Sequence, residues 1–157
     1  MDDFALTPAE RALFDALNRR GVPFIIIGMG AAVLEGAPMA TQDLGVWFER
    51  IDDERIRLAA TDAGGFWISG FGKQPPAFGG DGLARIDVVL TADGLEPFSV
   101  EYARAIARDV EGVTLRVLPL DRVIASKRAT GRAKDAAQLP ALEATLLARS
   151  SSLREPE

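Results

Sequence analysis

The chain has 157 residues, nearly half of them hydrophobic, which suits one domain with a buried core. It contains neither cysteine nor histidine. That excludes disulfides, thiolate chemistry, serine–histidine triads and histidine-built zinc or iron sites, and leaves any metal to oxygen ligands of the kind magnesium or manganese take. A formal charge of −5 and a pI near 4.9 argue against broad electrostatic binding of nucleic acid.

In chain order, the stretch MDDFALTPAER lacks the basic flank and apolar run of a secretory signal, and no run reaches membrane-spanning length, so a cytoplasmic bacterial protein is expected. Thr7-Pro8-Ala9-Glu10 spells a capping box with proline at the first helical position. Leu13, Phe14 and Leu17 then share one helical face, and Gly21 ends the helix. Phe24–Ile27 is a continuous β-branched and apolar run, the pattern of a strand covered on both faces. Gly28 and Gly30 punctuate the passage to a short helix predicted over 30–35, which Gly36 and Pro38 stop. A glycine turn there either serves close packing or leaves N–H groups free for an anion. A second strand follows over Leu44–Phe48, with Thr41 and Asp43 at its mouth; read alone, these two are turn residues.

A helix is expected over 51–63, capped by Asp52 or Asp53 and stopped by Gly64 and Gly65. Residues 66–71 read as a short strand, and the glycine- and proline-rich 72–82 as a loop, either a solvated hairpin connection or a flap over a site. Residues 84–90, ARIDVVL, form the next buried strand. Ile86 and Val88 point one way and Asp87 the other, so a buried Asp87 requires a partner and can project beside Asp43. A helix over 99–105, a hairpin turning at Glu111-Gly112, a helix from Pro119 to Thr130 broken by Gly131, and a last helix over 133–147 complete the domain, 1–149. Residues 150–157 are expected to be a flexible tail. Between Arg116 and Asp135 stand six basic and two acidic residues, either a solvated helical face or an anion site.

Gly28, Ala31, Gly36, Pro38, Ala40, Thr41 and Asp43 stand in the spacing of the nucleotidyltransferase superfamily signature, and Lys127, Gly131, Arg132, Lys134 and Asp135 in that of its second half. Over about residues 21–142 the chain therefore resembles small bacterial members of that superfamily related to abortive-infection toxins and aminoglycoside nucleotidyltransferases. The resemblance implies an α/β (α+β) fold with a small mixed sheet flanked by helices. It implies Asp43 and Asp87 as catalytic and magnesium-binding carboxylates, and Gly28, Gly30, Thr41, Lys127, Arg132 and Lys134 as the nucleotide- and phosphate-binding set. Four positions depart from the pattern: Met29 replaces a glycine, Met39 an arginine, Gly45 the second aspartate, and Gln138 a further aspartate.

The departures make the expected function that of a nucleotidyltransferase-fold protein with weak or no transferase activity, keeping a nucleotide or anion site and at most weak magnesium binding. Two other readings stay open. One is an active magnesium-dependent transferase of a nucleoside monophosphate to an RNA or protein hydroxyl, acting as a toxin with an antitoxin partner, in which Glu49 or Asp81 compensates. The other is a non-catalytic interaction module presenting Trp47, Trp67 or Phe78, although core packing is the ordinary place for each.

Overall fold

The structure, a computed structural model, describes residues 4–154. The elements are α1 Pro8–Arg19, β1 Phe24–Ile27, α2 Gly28–Leu34, β2 Leu44–Phe48, α3 Glu54–Asp62, β3 Phe66–Ile68, β4 Ala77–Gly79, β5 Ile86–Val89, α4 Phe98–Arg104, β6 Ile106–Val110, β7 Val113–Val117, α5 Leu120–Thr130 and α6 Ala133–Arg154. Five strands make one mixed sheet in the order β5-β2-β1-β7-β6, and β3 with β4 forms a separate hairpin. Among the described residues no helix is long and apolar enough to cross a membrane.

Local chemistry fixes most boundaries. Thr7 and Glu10 make the full capping box of α1, and Gly21 ends it in the left-handed region at φ 72°. Asp53 is the cap of α3, its carboxylate accepting the Arg55 N–H. The β6–β7 turn takes positive φ at both Glu111 (53°) and Gly112 (87°), the two-residue geometry that follows strand twist. Glu111 is a poor residue for that conformation, but its side chain accepts the Leu6 N–H at 2.6 Å.

Three expectations shift. The loop over 72–82 contains β4, because Ala77–Gly79 pairs with Phe66–Ile68 and Gly79 lies under the Phe66 ring. Helix α6 runs past the expected end at Leu147 to Arg154; of the expected tail, residues 155–157 lie outside the described residues. The aromatics Trp47 and Phe78 are buried and Trp67 is half-buried, packed edge-on against Phe98, Phe48 and one another, so they form core rather than a presented surface.

The core lies where α1 and α3 meet the sheet: Leu13, Phe14 and Leu17 pack with Ile56, Ala59 and Ala60, and Phe14 stacks on Phe24 at 5.4 Å. Leu44, Val46 and Phe48 are buried, so alternation turns Gly45 and Trp47 to the other face, where α4 covers Trp47 through Phe98. Four buried acids then tie elements together. Glu10 takes Arg85, Glu35 takes Arg108 and Arg149, Glu101 takes Arg122, and Asp135 takes Lys127 and Arg132. Burial pushes the Glu101 carboxyl up, but the Arg122 hydrogen bonds at 2.6 and 3.1 Å and the Glu96 N–H outweigh it and hold it below its ordinary value.

Because the folded pKa is depressed, this stabilisation is present above the ordinary value of 4.5 and is lost as pH falls through the folded value. Glu101→Gln is expected to cost about 3 kcal/mol at pH 7 by leaving Arg122 without its counter-charge. In urea unfolding across pH, the gap between variant and wild type should narrow below pH 4.5.

Candidate functional site

Strand register builds the first part of the site. Ile27 pairs with Gly45 in the antiparallel β1–β2 ladder, and Gly45 with Asp87 in the parallel β2–β5 ladder. Asp43 lies two residues before Gly45 and so shares its face. Asp87 is exposed rather than buried, which corrects the expectation that it needs a charged partner. Its carboxyl is pushed up, first by partial burial of the group and then by repulsion from the Asp43 carboxylate. The Asp43 carboxylate is thus near enough for its charge to act on Asp87. Thr41 is committed locally: its hydroxyl donates to the Asp43 carbonyl at 2.7 Å and accepts the Asp43 N–H at 3.3 Å.

Gly45 lies directly across from Asp87 in the ladder and two residues after Asp43. A Cβ there would stand 3.3 Å from Ile27 Cγ1, 3.5 Å from Ile27 O and 3.6 Å from Val89 Cγ2, so a side chain fits once the flexible Ile27 gives by a few tenths of an ångström. Among the described residues no group of three or more acidic side chains is placed to hold a metal. The pair offers hard oxygen donors of the kind magnesium takes, but only part of an octahedral shell, and neither Glu49 nor Asp81 completes it.

A cavity of about 340 Å³ adjoins the pair. Ile27 and Val89, the residues that flank Gly45, form part of its wall, together with Gly28, Asp93, Ser126, Lys127, Thr130, Arg132 and Asp135. Asp43 and Asp87 are beside this lining, not in it. Gly28 adopts φ 68° with open space where a side chain would be, so here glycine answers a backbone requirement. Met29, at the position where the resembled family has a glycine, is half-buried and packs against the core.

The cations of the cavity are already engaged. Asp135, 1% exposed, accepts from Lys127 Nζ at 3.0 Å, Thr130 Oγ1 at 2.6 Å and Arg132 Nε at 2.7 Å. Burial pushes its carboxyl up, but the Thr130, Lys127 and Arg132 hydrogen bonds prevail and hold it well below the usual carboxylate range. One of the three Lys127 ammonium donors is thus spent on Asp135.

The remaining members of the expected set lie elsewhere. Gly30 is buried in α2 with no room for a side chain beside Leu44, a packing role. Thr41 lines a different cavity, of about 1190 Å³, with Met39, Arg85 and Arg108. Lys134 is exposed outside the cavity lining. Gln138, in place of the further aspartate, has its Oε1 buried with no hydrogen-bond partner among the described residues. Sequence reasoning passed over Asp93 and Ser126; the Asp-Gly pair in the loop after β5 was the available signal for the first, and nothing marked the second.

Two outcomes follow. Because the Asp87 carboxyl is raised, its charged form weakens the fold above pH 3.8, and the effect is complete above the folded pKa. Asp87→Asn should therefore raise the melting temperature at pH 7 and leave it unchanged at pH 3.5, in heat-denaturation scans. Asp135→Asn should cost about 3–5 kcal/mol in urea unfolding at pH 7, since it leaves the Lys127 ammonium, whose side chain is 11% exposed, uncompensated.

No family model and no curated protein matches the chain. Solved structures do. The crystal structure of ANT(2")-Ia in complex with adenylyl-2"-tobramycin aligns at TM-score 0.53 with 16% identity, over 90% of each chain. The solution structure of the same antibiotic-resistance factor aligns at 0.52 with 15% identity, over 92% of each. An antigenic nucleotidyltransferase-like protein from Paracoccidioides brasiliensis aligns at 0.52 with 15% identity, over 85% of this chain and 71% of that one. The five-stranded mixed sheet with its helices is a nucleotidyltransferase-like fold.

Proposed function

We propose that the chain binds a nucleoside triphosphate weakly, its phosphates between the Asp43–Asp87 pair and the Lys127 side of the adjoining cavity, and transfers the nucleoside monophosphate slowly or not at all. The observation that supports this reading is the pairing of Gly45 with Asp87, with Asp43 two residues before Gly45 and near enough for its charge to act on Asp87, so that position 45 is where a third carboxylate would stand. Asp43 and Asp87 would hold one magnesium ion through their oxygens, and the ion would neutralise triphosphate charge. Lys127 would offer its remaining ammonium donors to a phosphate oxygen.

Transfer would form a bond from an acceptor hydroxyl oxygen to the α-phosphorus and break the bond to the bridging oxygen, releasing pyrophosphate. The hydroxyl proton would pass to a carboxylate oxygen of Asp87 not engaged by the ion. With one carboxylate missing, charge on the triphosphate is under-compensated and the attacking hydroxyl is poorly activated. The acceptor is a hydroxyl of RNA or protein in this reading, and an antitoxin partner belongs to the active form of it alone.

Titration of wild type and Gly45→Asp with magnesium and nucleoside triphosphates tests the proposal. Wild type should bind poorly, and the variant roughly tenfold or more tighter in a magnesium-dependent way, because a third carboxylate raises repulsion that a divalent ion relieves. Without metal the variant should melt lower than wild type. Met29→Gly should add nothing to binding and reduce stability, since Met29 packs on the core. Rapid transfer of labelled nucleotide by the wild type, abolished by Asp87→Ala, would replace this reading with that of an active transferase.

A further inference from the structure

Asp93 also lines the 340 Å³ cavity, and it is the lining carboxylate left over once Asp135 is accounted for. Both Asp135 oxygens are occupied, Oδ1 by Lys127 and Oδ2 by Thr130 and Arg132. Asp93, by contrast, makes no side-chain hydrogen bond or ion pair among the described residues, and it is exposed at the cavity wall.

The loop that carries Asp93 is held in place. Gly94 takes φ 74°, and a Cβ on it would meet Ala129 Cβ at 2.5 Å and the Ala125 carbonyl at 3.0 Å, so the loop backbone is pressed onto α5 at a point only glycine permits. Ala92 and Leu95 on either side pack against the core, and the Leu95 N–H turns back to the Ala92 carbonyl at 3.4 Å. The loop backbone that carries Asp93 is therefore held against α5, and Thr91 and Ser126 belong to the same lining.

An ionised carboxylate only accepts hydrogen bonds, so its natural ligand is a donor, and its two oxygens match two neighbouring hydroxyls. The same cavity is lined by Lys127 and Arg132, whose donors not spent on Asp135 can meet an anion. A molecule that brings phosphate to one group and a vicinal diol to the other is a ribonucleotide. The volume is in the range of small-ligand sites. We propose that Asp93 is a specificity-determining residue that accepts hydrogen bonds from the ribose hydroxyls, so that the cavity selects ribonucleotides over 2′-deoxyribonucleotides. The assignment rests on the nucleotide reading above and names the sugar that reading leaves open.

The test is calorimetry on the full chain, wild type and Asp93→Ala, with magnesium present. Each of the four ribonucleoside triphosphates is compared with its 2′-deoxy counterpart, and inorganic tripolyphosphate serves as a sugar-free probe. For at least one base the wild type should favour the ribonucleotide by about tenfold, the worth of one hydrogen bond to a charged group. Asp93→Ala should bring that ratio close to one by weakening the ribonucleotide, with tripolyphosphate affinity and melting temperature unchanged. A ratio that is the same in both proteins, or near one in the wild type, would overturn the role of Asp93 while leaving nucleotide binding intact. Absence of binding by every triphosphate and by tripolyphosphate would overturn the nucleotide reading and this assignment together.

Discussion

The site depends on one row of strand pairing, Ile27 to Gly45 to Asp87, in which β2 lies between β1 and β5. Its register is set from the other face. Leu44, Val46 and Phe48 are buried, and a slip of one residue would turn all three to the opposite side. With that face committed, Gly45 and Asp87 turn together to the opposite face. There the Asp87 carboxyl is raised first by partial burial and then by the nearby Asp43 charge.

Glycine at position 45 places no charge beside Asp87. The neighbours Ile27 and Val89 stand 3.3 and 3.6 Å from where a Cβ would be, and the same two residues form part of the wall of the adjoining cavity. A side chain at 45 would therefore press on Ile27, a residue shared with that wall.

The four buried acids show how an acidic chain is held together. Each takes arginine or lysine from elsewhere in the fold, so Glu10 binds the approach to β5, Glu35 joins β6 and α6 to the end of α2, Glu101 joins α4 to α5, and Asp135 joins α5 to α6. Such pairs add little net stability over apolar packing, but losing one partner is severe, which makes them strict about geometry. At Asp135 this has a functional side: the anchor of the α5–α6 turn is also the counter-ion of the cavity lysine, so the positive charge that a phosphate would meet is already partly compensated.

What the sequence by itself determined are the features with short-range causes. The capping box of α1, the left-handed glycines at 21 and 131, the Glu111-Gly112 turn and the apolar runs of β1, β2 and β5 are settled within a few residues of each other, by dihedral preference and period-two alternation. Only the tertiary structure decided the rest. The partners of Glu10 and Glu35 lie 75 and 73 residues away, where no periodicity links them. Lys127 and Thr41 stood in one expected phosphate set but face different cavities, because Thr41 is drawn into a turn by Asp43 while Lys127 is drawn inward by Asp135. The exposure of Asp87, the pairing of β4 with β3 and the seating of the Gly94 backbone on α5 likewise depend on which surfaces meet, and a charge or a glycine in the sequence does not name the surface it will meet.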